Sequence, residues 1–405
     1  MNETPAWIDL VHTPGMRGTG VYELIERFGT PARVLEASLR ELSDIPWMTP
    51  ELARGIARRR REQKGVVAAR RLSELGARAV PFTSSEYPAS LGELSGMPPL
   101  LYVMGELLPE DSLGIALVGS RKSSPYGRLV AERLAADLAR SGITVVSGLA
   151  RGIDTAAHRA ALDAGGRTIA VLGCGIDRIY PRENRALRER IRAQGAVVTE
   201  FPLGAPPLAR HFPARNRIIS GLSLGVVAVE ARLRSGVMST VRWALDQGRE
   251  VFAVPGNIDS PGAEGTNRLI QQGAKLVLGV EDILEEFGLS RMGASAIVGA
   301  EGERAGAGSD SVRMDSDAVG TDSEPACAGS EPVGMGSGPG GTGSEPVLTE
   351  VEMRLLEQLS STPKHIDSIV RETSVSVSEA LTYLLALEMR GMVRQIAGKS
   401  FVRAM

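Results

Sequence analysis

GIALVGSRKSSPYGRLVAERLAADLARSGITVVSG, residues 114–148, carries two textures in one stretch. Its ends, GIALVG and ITVVSG, are short apolar runs rich in β-branched residues, each closed by glycine. Between them Pro125 suits a first helical turn, Leu129, Val130, Leu134 and Leu138 form a stripe at helical spacing, and Gly142 ends the helix. Strands without a polar face, joined by a helix, build a parallel sheet covered by helices on both sides. The texture repeats through RTIAVLG, AVVTEF, GVVAVEA, EVFAVPG and KLVLG, so the region from 114 to 288 is expected to be an α/β fold.

The chain around that region is longer than one domain. At 405 residues it exceeds the usual span of roughly 100–200, so two or three units are expected. Residues 290–346 are rich in Gly, Ser, Ala, Glu and Pro with almost no large apolar side chain, and GSEPV recurs at 329–333 and 343–347. Such a stretch buries too little surface to offset its chain entropy and reads as a disordered linker. Residues 1–75 read as short helices, with Leu24, Ile25, Phe28, Val34, Leu35 and Leu39 between turn signals and a tight turn at DIPWMT. The run Arg58 to Arg61 is either a solvated helix face or a phosphate-facing patch. Residues 347–405 give three helices and a hairpin, the order of a winged helix-turn-helix; its third helix, with Glu379 and Glu388 against Arg390, suits packing or protein contact better than a DNA groove.

Composition bounds the chemistry. Hydrophobic residues at 43% and charged residues at 23% are ordinary for a soluble domain, while 4% aromatics argue against a stacked-aromatic platform as the main binding device. MNETPAWIDL has neither a basic leader nor an apolar run, and no segment reaches the ~20 apolar residues of a membrane span, so a cytoplasmic protein with no membrane contact is expected. Cys174 and Cys327, with His12, His158, His211 and His365 scattered, give no disulfide framework and no metal-ligand spacing. No cofactor is expected.

Sheets of this class bind ligands at the carboxyl ends of their strands. Gly119, Ser120, Arg121 and Lys122 follow the first apolar run, and no acidic residue occurs between Asp111 and Glu132. Ser147, Gly148, Arg151, Gly152 and Asp154 follow the second, with Asp154 either a helix cap or a ligand group and His158 a packed or surface histidine. Gly173 and Gly175 follow the third, but Arg178 stands where a dinucleotide fingerprint needs its third glycine, and no phosphate-loop motif exists. In HFPARNRIISGLS, 211–223, Arg215, Asn216 and Arg217 have no acidic neighbour between Glu200 and Glu230, and are expected on the same rim as Arg121 and Arg151. Converging guanidiniums on glycine-rich strand ends describe a phosphate site, of a nucleotide or of a polymer. Glu200 and Glu230 close strands and are the candidate catalytic carboxylates, but no nucleophile, base or metal cluster accompanies them, so binding without catalysis is expected.

GSR at 119–121, SGLARGIDTAAH at 147–158, GCGIDRIYPREN at 173–184, FPARNRIISGLS at 212–223, VAVEA at 227–231, SGVMSTVRWALDQGREVFAVPGN at 235–257 and GTNRLIQQGA at 265–274 together resemble the DNA-processing protein A family, DprA/Smf. The likeness covers about 80–290; YPASLGELSGMPPLLYVMGE, 87–106, is similar to that family's lead-in to its first strand. It implies an extended Rossmann-like domain over 80–289, a sterile-alpha-motif-like helical domain over 1–75 and a winged-helix-like domain over 347–405. It further implies a homodimer that binds single-stranded DNA and loads the RecA recombinase onto it in natural transformation. Residue by residue, the DNA contacts would be Gly119, Ser120, Arg121, Arg151 in place of the family's usual lysine, Phe212, Arg215, Asn216 and Arg217, with Gly148, Gly152, Asp154, Gly173 and Gly175 shaping the loops. The family's S-G-x-L-x-T-A reads SGVMSTV here, with Met238 and Val241 repacking a core helix. The rival reading, a nucleotide-binding or nucleotide-hydrolysing enzyme of the lonely-guy type, needs P-G-G-x-G-T, where this chain has PGNIDSPGAEGTN.

Overall fold

The computed structural model describes residues 3–289 apart from 93 and 95, and, from 350 to 403, all but 361–363, 374, 376–378, 381–382, 385–386, 388–391 and 397–399. The stretch 290–346 and most of the third helix expected after 375 lie outside the described residues. The chain divides into two compact units, Met1–Arg304 and Ala305–Met405.

In the first unit one 9-stranded sheet has the order β1-β2-β6-β5-β4-β3-β7-β8-β9. The strands are β1 Ala77–Pro81, β2 Leu100–Gly105, β3 Ile115–Gly119, β4 Val145–Ser147, β5 Thr168–Val171, β6 Ala196–Thr199, β7 Gly225–Glu230, β8 Glu250–Ala253 and β9 Lys275–Leu276. Each apolar run forms a strand, and β3 to β9 pair in parallel. The Rossmann-like α/β class read from the sequence is what the chain adopts. The sheet is wider than that reading: β1 and β2 pair antiparallel, and β2 is antiparallel to β6. The lead-in LLYVMG is itself a buried strand, an apolar run ended by Gly105.

Strand side chains alternate between the two faces. Ile115, Leu117, Val227 and Val229 pack under helices Pro125–Arg140, Ile153–Asp163 and Val280–Glu286. Ala116, Val118, Val226 and Ala228 pack under helices His211–Gly221, Gly236–Asp246 and Glu264–Gln271. The stripe expected on Pro125–Arg140 needs correction: Leu129 is 65% exposed, and the sheet meets Gly127, Ala131, Leu134, Ala135 and Leu138. Small residues at that spacing bring the helix backbone close to the strands, and this turns position 129 outward.

Short helices fill the amino-terminal segment, where Leu24, Ile25, Val34 and Leu35 are buried and Leu39, at the start of helix Leu39–Ser43, is half exposed. Thr49 caps helix Pro50–Glu62 by accepting from Leu52 N–H at 3.2 Å, which sets the turn after DIPWM. These helices share a core with the sheet: Trp7, Leu10, Leu24 and Leu42 belong to one apolar cluster with Leu100, Tyr102, Met104, Leu172 and Val197. His12 Nε2 and the Tyr102 hydroxyl are hydrogen-bonded at 2.7 Å across that junction. Of the basic run, Arg58 meets Glu62 and Arg59 donates to the His12 carbonyl.

In the second unit, helices Glu350–Glu357 and Ile366–Thr373 accompany a 3-stranded antiparallel sheet of order β10-β12-β11, formed by β10 Lys364–His365, β11 Val393–Ile396 and β12 Ser400–Arg403. Leu355, Leu359, Ile369, Leu384, Leu387 and Phe401 form its core.

Candidate functional site

The connections leave β3 and β7 on opposite faces of the sheet although the two strands are neighbours, so their carboxyl ends open into a crevice at the point where the strand order reverses. A cleft of about 650 Å³ lies there. Its walls come from the loop after β3 (Gly119 to Lys122), the loop after β7 (Glu230 to Gly236) and helix His211–Gly221.

The first loop is held by backbone and capping bonds that leave its cations free. Ser120 N–H donates to the Glu230 carbonyl at 2.8 Å, which continues the β3–β7 pairing one residue past the strand. Ser124 caps helix Pro125–Arg140 by accepting from Gly127 N–H at 2.9 Å, and its hydroxyl and N–H both donate to Glu230 Oε2 at 2.9 Å. Arg121 and Lys122 then project from the loop, exposed. Arg121 lies over the Phe212 ring, 4.7 Å from its centroid, and Gly173, Tyr180 and, at 5.9 Å, the Arg215 guanidinium also neighbour the ring. A guanidinium parked on an aromatic face keeps its charge and its donors available.

Arg215 is used differently. It is 3% exposed, donates to the carbonyls of Gly148, at 2.9 Å, and of Val171, and to Asn216 Oδ1 at 3.0 Å. Gly148 is required there, because a Cβ would sit 2.2 Å from the Arg215 guanidinium. Burial pulls this guanidinium down to about 10, with Asp154 opposing the shift, so it stays charged at neutral pH. Asp154 is not the helix cap. It lies inside helix Ile153–Asp163 and accepts from Ala150 N–H at 3.2 Å, and burial raises its pKa against the pull of Arg215.

The loop from β4 to helix Ile153–Asp163 carries left-handed backbone at Leu149, φ 53°, a conformation that costs a β-carbon residue about 1–2 kcal/mol. Two buried side chains hold it: Leu149 N–H donates to His158 Nε2 at 3.3 Å, and Asn184 donates to the Leu149 carbonyl at 3.0 Å. His158 Nδ1 lies 2.7 Å from Thr168 Oγ1, whose hydroxyl donates to the Val145 carbonyl. Burial first, and then Arg215, pull His158 down to about 3. The ring is therefore neutral, accepting at Nε2 and donating at Nδ1.

The structure does not bring all the expected residues together. Gly119, Ser120, Arg121, Asp154, Phe212, Arg215 and Asn216 line the crevice, and Gly148 and Gly173 back it by making room for Arg215 and Phe212. Arg151 is turned aside into an ion pair with Glu183. Arg217 leaves the helix on its other side, where it pairs with Glu200 (Nη2 to Oε2 2.7 Å) and donates to the Gly96 carbonyl at 3.1 Å. The expectation that Arg217 lacks a partner holds only along the sequence; the fold supplies Glu200 from β6's exit. Gly175 lies away from the crevice, where the absence of a Cβ lets the Pro202 carbonyl approach. Both carboxylates singled out for catalysis are engaged, Glu200 by Arg217 and Glu230 by Ser124. Arg232, Ser235 and the start of helix Gly236–Asp246 also line the crevice and were not singled out; a basic residue just past VAVEA was the available signal. Among the described residues no group of three or more His, Cys, Asp or Glu is placed to hold a metal ion, and no helix is long and apolar enough to cross a membrane.

Comparison with known proteins gives these shapes relatives. Residues 78–288 match the family model for DNA recombination-mediator protein A, and 341–399 match the DprA winged helix domain. The chain is 53% identical over 213 residues to Protein Smf of Escherichia coli (strain K12), covering 52% of this chain and only 57% of that protein. It is 34% identical over 322 residues to Protein Smf of Synechocystis sp. (strain ATCC 27184 / PCC 6803 / Kazusa), 78% of each chain. Among solved structures, DNA processing protein A from Streptococcus pneumoniae superposes with a TM-score of 0.61 at 36% identity, covering 71% of this chain and 99% of that one.

Proposed function

Because this chain belongs to the DNA recombination-mediator protein A family, we propose that it binds single-stranded DNA without regard to sequence in the β3–β7 crevice and passes the strand to the RecA recombinase. The observation that carries this is the state of Arg121 and Lys122: exposed at the switch point of the sheet, with no ion-pair partner among the described residues and Phe212 beneath Arg121. Phosphates meet the two cations, and an unstacked base meets the apolar wall of Phe212 and Pro213. Asn216 and the amides at the start of helix Gly236–Asp246 supply neutral donors to the same backbone. Nothing in this arrangement demands catalysis, and the protein acts by holding and handing over its ligand, as a homodimer in the cytoplasm. Arg151, once released by Glu183, and Arg217 are second-rank contacts in this scheme, since each must first give up a carboxylate.

The test is fluorescence anisotropy of a labelled poly-dT oligonucleotide, single-stranded against duplex, across a salt series with wild type and Arg121→Ala. The single strand is expected to bind in preference, more weakly as salt rises, and the variant to lose about tenfold or more in affinity with its fold intact. Undiminished binding by Arg121→Ala at every salt would remove the crevice from consideration.

A further inference from the structure

A second cleft, of about 390 Å³, opens beside the crevice and shares Arg121 and Lys122 with it. It runs between helices Pro125–Arg140 and Ile153–Asp163, and two further cations, Arg128 and Arg159, line it with Glu132 as the lone carboxylate of the lining. Among the described residues none of these four cations has an ion-pair partner. That is unusual for these helices. Farther along the first, Arg133 and Arg140 both meet Asp137, and Asp163 at the end of the second is taken by Arg190. On these two helices, among the described residues, the arginines without an ion-pair partner are the two that line the cleft.

The two clefts meet at a tight junction. Ile153 N–H donates to the Ser120 carbonyl at 3.2 Å, and Gly152 adopts φ 78° where a Cβ would lie 2.2 Å from that oxygen. The loops after β3 and β4 are thereby closed onto each other, and Arg121 stands on the ridge between the clefts. Four cations lining one cleft against the single carboxylate of Glu132 leave a net positive charge, and a polyanion threaded past them offsets it.

We propose that the second cleft is a phosphate subsite that receives the next stretch of the same strand, with Arg128 and Arg159 as its contacts; this rests on the reading of the crevice as the primary DNA site. The strand then runs from Arg232 across Arg121 and down between the two helices, and binding has a minimum length that the crevice alone does not impose. Both side chains are exposed, so their removal leaves the core untouched.

The experiment measures anisotropy with dT oligonucleotides of increasing length over a salt series, for wild type, Arg128→Ala/Arg159→Ala and Arg121→Ala. The double variant is expected to match wild type on the shortest oligonucleotides that bind and to fall about tenfold behind on longer ones, with the salt slope reduced by about 1.4 for two lost phosphate contacts. A double variant with the wild-type slope and length dependence, while Arg121→Ala loses binding, overturns the subsite and leaves the cleft to an acidic protein partner. Normal binding by Arg121→Ala overturns the primary reading, and the subsite with it.

Discussion

The loop after β3 and helix His211–Gly221 bring arginines to the same end of one sheet and use them in opposite ways. On the loop, Arg121 and Lys122 are exposed and rest against nothing more binding than an aromatic face. On the helix, Arg215 is spent on two carbonyls and Arg217 on Glu200. A motif rich in arginine is therefore no measure of a binding site. What matters is which guanidiniums still have donors to give after the fold has taken its share.

That contrast can be broken at its strongest point by Arg215→Ala. Two buried carbonyls lose their donor and Asp154 its counter-charge, so unfolding in denaturant is expected to come about 3 kcal/mol earlier, where Arg121→Ala leaves stability within error. Equal stability of the two variants would make the division between committed and free cations meaningless.

A pH series sharpens it. His158 titrates near 6.5 when unfolded but only about 3 when folded, so the unfolded chain takes up a proton that the native one refuses. Stability is thus full above pH 6.5 and is lost as pH falls toward 3, by about 2 kcal/mol at pH 5 from this residue. His158 faces the loop backbone and Thr168, not the rim of the crevice, so DNA affinity of the folded protein should show no matching step. His158→Gln, monitored by thermal unfolding at pH 7 and pH 5, should flatten the dependence.

The smallest effect asks whether a committed cation can be released. Glu183→Gln frees Arg151 at the surface, and single-strand affinity should rise about twofold at low salt and not at high salt, because exposed charges are screened. No rise at any salt would place Arg151 out of reach of the strand.

The strands β3 to β9 were legible because each contains or opens a short apolar run with a glycine close by on at least one side, a signal that needs no knowledge of neighbours. β1 and β2 were not: ARAVP is short and half-buried, and LLYVMG looks like a lead-in until its antiparallel partner is known. The Gly119 to Lys122 loop could be placed from sequence because a strand end fixes it. The partners of Arg217 and Arg151 could not, since Glu200 and Glu183 lie 17 and 32 residues away. Leu129 falls outside the core because the face that meets the sheet runs through Gly127, Ala131, Leu134, Ala135 and Leu138, and the small residues among them, which allow the close packing, carry a weaker apolar signal than a leucine does.

The shared core of the amino-terminal helices and the sheet has a consequence for how such chains can change. Leu100, Tyr102, Met104 and Val197 are covered on one side by Trp7, Leu10 and Leu24, so these helices are a fitted cover, and their removal would lay bare a continuous apolar surface prone to self-association. Any exchange of this segment between relatives must carry the matching residues of β2 and β6 along with it, which ties the inheritance of the two parts together.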